Sequence, residues 1–329
     1  MILGALFNAD DLMRIPLLLR HTLVAFALFS LALFPGVAVV HAESSTVSSP
    51  ASYTQQIEQL RSARVARLTA PNGWLSLIGL EWLKVGDNRV GSATDNDIVL
   101  KAGPAHLGDV TLGKDGSLHI RFAQDSGAAV DGKTVNDAAL IDDAHASGDT
   151  KPTLVTFGTA NFYMIDRDGR KALRVKDSDA ETRQHFLGLD YFPIDSSWHV
   201  VADWVPFDPA HKMQIGSVIG TIDTVDVPGK AVFKRDGHTY ELMPYQEEPG
   251  GDLFFVIADR TSGKETYGAA RFMDVALPKD GKVILDFNLA YNPPCAFTPF
   301  ATCPLAPPEN RLDLRVTAGE EKYRGGHPH

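Results

Sequence analysis

The chain has 329 residues, of which 44% are hydrophobic and 22% are charged, and its formal net charge is −10. This composition is ordinary for a folded, water-soluble protein, so extensive disorder is not expected. The acidic balance argues against a nucleic-acid-binding protein, because such proteins normally carry a basic face. The length predicts two domains or one large β domain.

Residues 1–42 have the pattern of a secretory signal peptide. Arg14 and Arg20 precede an apolar run, and Val40-His41-Ala42 supplies small or β-branched residues before a cleavage site after Ala42. A transmembrane anchor is the alternative, since the run is about long enough to span a bilayer. Pro35-Gly36 interrupts the run and favours cleavage. We therefore predict a periplasmic or secreted protein with no membrane attachment after cleavage, whether translation starts at Met1 or Met13.

A single helix is predicted near the start of the mature chain, after a Ser-rich linker at 43–51. Tyr53, Ile57, Leu60 and Leu68 recur at helical spacing over residues 52–68. Three arginines, Arg61, Arg64 and Arg67, lie near one another on the polar side of this helix. Two interpretations stay open for them, a solvated face and an anion-binding surface.

Short strand-like segments separated by Gly and Asp turns fill the region from Trp74 to Val175, which predicts a β-sandwich. The segments RVGSATDNDIVL and VDGKTVN resemble the core of forkhead-associated (FHA) domains. In those domains an Arg and a Ser help bind phosphothreonine. Here Ser92 occupies the position of that Arg, and His106 stands loosely where a Ser-x-x-His loop would end. The resemblance implies an FHA-like fold at 52–185 and argues against phosphopeptide binding.

A second β region is predicted at 186–320, followed by a flexible tail at 321–329. Its strand-like segments are bounded by turns such as Pro228-Gly229 and Lys279-Asp280-Gly281. Their number is sufficient for an antiparallel β-barrel or half-barrel. The fold class is therefore mainly β, with one N-terminal helix, an FHA-like sandwich and a barrel-like domain. Such barrels bind small ligands in the mouth.

The polar segment ADRTSGKETYGAARF holds the first candidate ligand-binding residues. If it continues as a strand, Glu265, Tyr267 and Arg271 share one face, because alternate residues of a strand point the same way. A carboxylate, a phenol and a guanidinium in line suit a polar or acidic ligand. One alternative is a long solvated hairpin with a turn at Ser262-Gly263-Lys264. Another is that Arg271 pairs with Asp286 as a structural bridge.

The segment DFNLAYNPPCAFTPFATCPLAPPENRL contains both cysteines, Cys295 and Cys303. Export favours a disulfide between them. A metal site and a reactive thiol are the alternatives, although no histidine pair or Cys-x-x-Cys motif supports either. We predict no metal and no cofactor. The sequence contains no Gly-x-Ser-x-Gly elbow, no His-Glu-x-x-His motif, no Walker loop and no dinucleotide-binding fingerprint.

This segment, together with WLSLIGLEWL and TSGKETYGAARF, resembles an uncharacterised bacterial and archaeal family, DUF1684. The resemblance runs from about Trp74 to Glu320 and supplies motif positions but no reaction. The candidate ligand-binding positions are Glu265, Tyr267, Arg271, Asn288, Tyr291, Asn292 and Asn310. Two functions are compatible with them: an exported protein that binds a small molecule or a protein partner, or a hydrolase with Glu265 as acid and base.

Overall fold

The structure is a computed structural model that describes residues 50–148, 150–248 and 250–326. The predicted signal peptide therefore lies outside the described residues. The chain is mainly β, as predicted. The described residues form one long helix, α1 (Pro50–Leu68), and one short helix, α2 (Glu181–Gln184). Within the described residues no helix is both long and apolar enough to span a membrane.

Two five-stranded sheets form the sandwich and enclose an apolar core. The first has the order β1-β10-β9-β8-β6, and the second has the order β3-β2-β4-β5-β7. The strands are β1 (Leu77–Trp82), β2 (Gly86–Gly91), β3 (Ile98–Val99), β4 (Gly108–Leu112), β5 (Leu118–Phe122), β6 (Ala129–Val130), β7 (Asp137–Ala139), β8 (Val155–Phe157), β9 (Ala160–Arg167) and β10 (Arg170–Asp177). Leu173 and Val175 of β10 point into this core, so Arg174 and Lys176 project from the opposite face of the sheet.

The turns that carry the FHA resemblance are held together by hydrogen bonds. The Ser92 hydroxyl donates to the Gly103 carbonyl oxygen at 3.0 Å. The His106 ring lies 3.3 Å from the Asn96 side-chain oxygen. Both side chains therefore stabilise neighbouring turns of the sandwich, and the likeness to FHA domains stays a prediction.

The second region is a half-barrel built from β11 (His199–Gly216), β12 (Ile222–Arg235), β13 (His238–Leu242), β14 (Leu253–Ile257), β15 (Arg271–Val275) and β16 (Lys282–Asp286). Four of these strands form a sheet in the order β13-β12-β11-β16, and β14 pairs with β15. Every residue of β14 is buried. Phe254 and Val256 pack into one apolar cluster, whereas Leu253, Phe255 and Ile257 pack into another. The β14–β15 hairpin therefore separates two cores.

The predicted turn at Pro228-Gly229 is wrong, because both residues lie within the continuous strand β12. Gly229 pairs with Pro206 of β11, at the edge of an irregularity in the register. A Cβ atom at Gly229 would lie 2.5 Å from the Trp204 ring. Glycine is therefore required here by close packing against the ring rather than by a turn.

Helix α1 packs on the junction between the two regions with a different face from the predicted one. Ile57 and Leu68 are buried, but Leu60 is 48% exposed. Arg61 and Arg64 are partly buried, whereas Arg67 is exposed. The solvated-face interpretation is therefore wrong for Arg61 and Arg64. Arg61 contacts the Tyr191 ring and the Phe192 carbonyl oxygen, and Arg64 pairs with Glu320 and contacts the Tyr291 ring.

The C-terminal segment from Phe287 onward crosses both regions without regular strands. Three short 3-10 turns support it, at Phe287–Leu289, Pro294–Ala296 and Pro308–Asn310. Tyr323, which the sequence assigned to the tail, is buried and stacks on Phe186 with ring centroids 5.6 Å apart. The described residues therefore include packed structure beyond position 320.

Candidate functional site

Arg64 of α1 lines two neighbouring cavities at the junction of the sandwich and the half-barrel. Its guanidinium donates to the Asn292 carbonyl oxygen at 2.8 Å and pairs with Glu320 at 3.2 Å. The same group lies 4.6 Å from the centre of the Tyr291 ring. These contacts fix the side chain, because a paired guanidinium stacked on a ring has little freedom left.

The inner cavity has a volume of about 40 Å³. Its walls are largely apolar and include the rings of Trp74, Phe254 and Phe272. Its charged and hydroxyl-bearing side chains come from distant parts of the chain: Arg64, Glu247, Tyr291 and Thr302. A water molecule needs roughly 10–15 Å³ measured in this way. The inner cavity therefore has room for a few water molecules or for one small polar group of a ligand.

The second cavity that Arg64 lines, called the outer cavity here, has a volume of about 140 Å³. Arg61, Tyr191 and Tyr291 contribute to its walls. The Arg61 guanidinium stacks on Tyr191 at 4.1 Å and donates to the Phe192 carbonyl oxygen at 3.2 Å. Arg64 and Tyr291 line both cavities, so they form the partition between the two.

Two buried cations lie behind the inner cavity on the outer face of β10. Arg174 is 0% exposed and Lys176 is 7% exposed. Both lie within 6 Å of the Trp74 ring centre, at 5.5 Å and 5.4 Å respectively. Lys176 donates to the Asn72 carbonyl oxygen at 2.6 Å. In the part of the chain that the structure describes, no carboxylate forms an ion pair with either cation.

This arrangement is unusual, because buried charges are normally paired. The Arg174 guanidinium donates to the Tyr163 hydroxyl at 3.2 Å and to the Thr302 hydroxyl at 3.0 Å. Its Nε has no hydrogen-bond partner among the described residues. Burial raises the pKa of the Tyr163 phenol, but the charges of Arg174 and Lys176 outweigh burial and lower the pKa overall. Burial lowers the pKa of Lys176. The cluster therefore favours the approach of negative charge.

Comparisons with known proteins locate the family region of the chain. Residues 184–321 match a family model described as "Protein of unknown function (DUF1684)". The chain belongs to the DUF1684 family. The family match includes Glu247, Tyr291 and Thr302, whereas Arg64, Trp74 and the β10 cations precede it. The cavities therefore combine the family region with the sandwich and α1.

Two solved structures are similar to parts of the DUF1684 chain. An uncharacterised protein of Haloarcula marismortui, solved by NMR in solution, is 30% identical. The match covers 42% of this chain and 78% of that one, with a TM-score of 0.36. A crystal structure of Rad53 with AMP-PNP is 12% identical, covers 55% of this chain and 38% of that one, and has a TM-score of 0.13. No curated protein matches the chain.

The cysteines of the DUF1684 motif lie beside the inner cavity. Each backbone N–H donates to the sulfur of the other residue, at 3.2 Å to Cys303 and 3.4 Å to Cys295. The structure records thiols, and the two sulfurs are not at disulfide distance. The hydrogen bond from Cys303 lowers the pKa of Cys295, whereas burial raises the pKa of Cys303. The disulfide therefore stays a prediction.

The side chains of Glu265, Tyr267 and Arg271 lie in three different environments and do not meet in one site. Residues 261–270 form turns, and β15 begins only at Arg271, so the predicted common strand face is wrong. Glu265 pairs at the surface with Arg315 at 2.5 Å. Tyr267 is buried and donates to the Cys295 carbonyl oxygen at 3.3 Å, and burial raises its pKa. Arg271 is buried against Asp259 at 2.5 Å, rather than against Asp286.

Three asparagines of the motif hold backbone segments together. Asn310 accepts from the Met243 N–H and donates to the Met243 carbonyl oxygen, both at 2.8 Å. Asn288 donates to the Tyr53 hydroxyl at 2.9 Å and so ties α1 to the half-barrel. The backbone carbonyl oxygen of Asn292 accepts a hydrogen bond from the Arg64 guanidinium, and the backbone N–H of Asn292 donates to the Glu320 carboxylate at 2.8 Å. Asn288 lines the outer cavity, and Asn292 positions Arg64.

Among the seven candidates, Tyr291 is the one that lines both cavities. Its hydroxyl donates to Asp274 at 2.9 Å. Arg174, Lys176 and Thr302 were not predicted from the sequence. One signal for the two cations was available, since charged residues at alternate positions around Val175 of a strand lie on the same face. No local pattern indicated that this face is covered by the C-terminal segment.

Proposed function

We propose that the protein is exported and binds a small molecule, one polar group of which occupies the inner cavity. The supporting observation is the convergence there of Arg64, Glu247 and Tyr291 on aromatic walls that include Trp74 and Phe272. Sites for small molecules typically combine largely apolar walls with a few polar groups that fix orientation. The hydrolase alternative lacks comparable support, because Glu265 and Arg271 have separate partners.

A substitution that fills the inner cavity is expected to remove bound ligand. Ala301 is 1% exposed and lines this cavity. Ala301→Met adds volume inside it, whereas Ala301→Ser changes the same position by a single oxygen and leaves most of the space. Native mass spectrometry of protein purified without denaturation is expected to show a ligand adduct on the wild type and on A301S, and none on A301M. An equal adduct on A301M would place the ligand elsewhere.

Export is expected to leave a mature chain that begins at Glu43. This expectation rests on the signal-peptide pattern of residues 1–42. In an oxidising compartment the adjacent Cys295 and Cys303 thiols are expected to transfer two electrons and two protons to a disulfide oxidant and so form a disulfide. Intact mass measured before and after reduction checks both expectations. A mature chain that retains residues 1–42, or a mass unchanged by reduction, would contradict the corresponding part.

A further inference from the structure

Thr302 presents a buried hydroxyl proton with no acceptor. The Thr302 residue is 6% exposed. Its Oγ1 accepts hydrogen bonds from Arg174 Nη2 at 3.0 Å and from Arg167 Nε at 3.3 Å. A hydroxyl oxygen has two lone pairs and one proton, and both lone pairs are used by these arginines. In the described parts of the chain, the proton itself finds no acceptor.

From this geometry we propose that Thr302 donates to an anionic oxygen of the ligand, which is a carboxylate or a phosphate. The proposal rests on the proposed function and names the ligand class for the same inner cavity, which Thr302 lines. Two guanidiniums polarise the Thr302 hydroxyl, and hydrogen bonds between polarised donors and ionised acceptors are about twice as strong as neutral ones.

The inner cavity itself is lined by one charged group of each sign, Arg64 and Glu247, so the preference for an anion over a neutral ligand depends on the charges behind Thr302. Arg167 is neutralised by Asp143 at 2.8 Å. Arg174 and Lys176 have no carboxylate ion partner within the described residues. Since opposite charges attract strongly in a poorly solvated site, an anion at Thr302 would compensate these two cations. The small volume of the inner cavity restricts the bound group to one anionic head.

Access to Thr302 is available from a second side. Thr302 also lines a cleft of about 980 Å³ between the sandwich and the β11–β12 hairpin. Arg167 and Tyr245 line the same cleft. Its charges are of both signs, because Asp166, Asp168 and Lys212 also contribute to it. Selection for an anion therefore falls to Thr302 and the cations behind it, while the cleft accommodates the rest of a larger ligand.

The test compares inorganic phosphate and acetate as probes by calorimetry and thermal shift, with chloride at matched ionic strength. Thr302→Val removes the donor and keeps the shape, and Thr302→Ser restores the hydroxyl. Thr298→Val is the matched control, because Thr298 lies in the same segment, is buried, and donates to the Leu77 carbonyl oxygen at 3.2 Å. We expect saturable binding of at least one probe to the wild type, at least tenfold weaker binding to T302V, and recovery in T302S.

The possible outcomes distinguish a failure of the anion site from a failure of the proposed function. Equal binding of phosphate or acetate to T302V and the wild type would overturn the role of Thr302. A second result would also overturn the role of Thr302: the wild type binds neither probe but carries an uncharged adduct that is absent from A301M. In that case the proposed ligand binding at the inner cavity would still hold. Absence of both probe binding and any adduct would overturn both. If T302V fails to fold, Lys176→Met replaces it, with an expected loss of at least fivefold in anion affinity.

Discussion

Asp259→Ala is expected to lower the free energy of unfolding by about 3–5 kcal/mol, because it leaves a buried charge without its partner. Arg271 and Asp259 side chains are 1% and 0% exposed, and they pair at 2.5 Å. The guanidinium also donates to the Val316 and Ala318 carbonyl oxygens. Burial lowers the pKa of Arg271, although Asp259 opposes this shift. These hydrogen bonds join the start of β15 to the C-terminal segment, and Asp259 supplies the charge partner of the buried guanidinium.

Glu265→Gln is the matched control for this substitution, since it removes an ion pair of the same type at the surface. Arg315 and Glu265 side chains are 57% and 38% exposed. Exposed pairs contribute about 0–1 kcal/mol. Urea unfolding of the two variants measures the difference directly. If D259A costs no more than E265Q, the buried pair does not hold the C-terminal segment in the way described.

Lys176→Met is expected to raise the free energy of unfolding of the ligand-free protein by about 1–4 kcal/mol, the range seen when buried ionic groups give way to apolar residues. Lys176 is almost fully buried and has no carboxylate ion partner among the described residues. Methionine fills a similar volume without a charge. Lys176 would then lower the stability of the fold while it supports ligand binding, which is a known form of trade-off between stability and function.

Lys171→Met provides the control from the same strand. Lys171 is also buried, but it pairs with Asp142 at 2.5 Å and with Asp166 at 2.8 Å. Its removal leaves two carboxylates partly unpaired, so K171M is expected to destabilise the protein by about 3–5 kcal/mol. In chemical denaturation, K171M is expected to have a lower free energy of unfolding than the wild type, and K176M a higher one. Equal destabilisation by K171M and K176M would show that Lys176 is an ordinary structural residue.

The effect of Lys176 is also expected to depend on pH. Because burial lowers its pKa in the folded state, the unfolded chain binds more protons between that pKa and the unfolded value of about 10.4. Stability therefore rises with pH across this window. The advantage of K176M over the wild type is full below the folded-state pKa and shrinks as pH approaches about 10.4. A constant difference across this range would contradict the buried, charged state of Lys176.

Local patterns in the sequence predicted much of the fold. The spacing of Tyr53, Ile57 and Leu68 was sufficient to locate α1, which begins at Pro50 and ends at Leu68. The same spacing wrongly predicted that Leu60 is buried, because the buried face of a helix depends on the segments that pack against it. Arg61 and Arg64 contact aromatic rings and carbonyl oxygens of the C-terminal half. The spacing of residues within the helix gives no information about these distant partners.

The candidate site was harder to predict because its residues meet through long-range packing. Arg174 and Thr302 are 128 positions apart in the chain. Arg64 and Asn292 are 228 positions apart. Asn288 and Asn310 were predicted as ligand-binding positions because they are polar residues of a motif, but their buried amides bind backbone groups of neighbouring segments. Residue type alone does not separate such a structural amide from a ligand-binding one.

The most direct measurement is the position of an anion in crystals soaked with arsenate, a phosphate analogue whose arsenic scatters anomalously. We expect an anomalous peak in the inner cavity, with an arsenate oxygen about 2.7–2.8 Å from Thr302 Oγ1, the usual distance for a hydroxyl donor. The peak is expected to be absent from T302V crystals and present in T298V crystals. Arsenate bound only at exposed arginines, with the inner cavity unchanged, would contradict the anion site at Thr302.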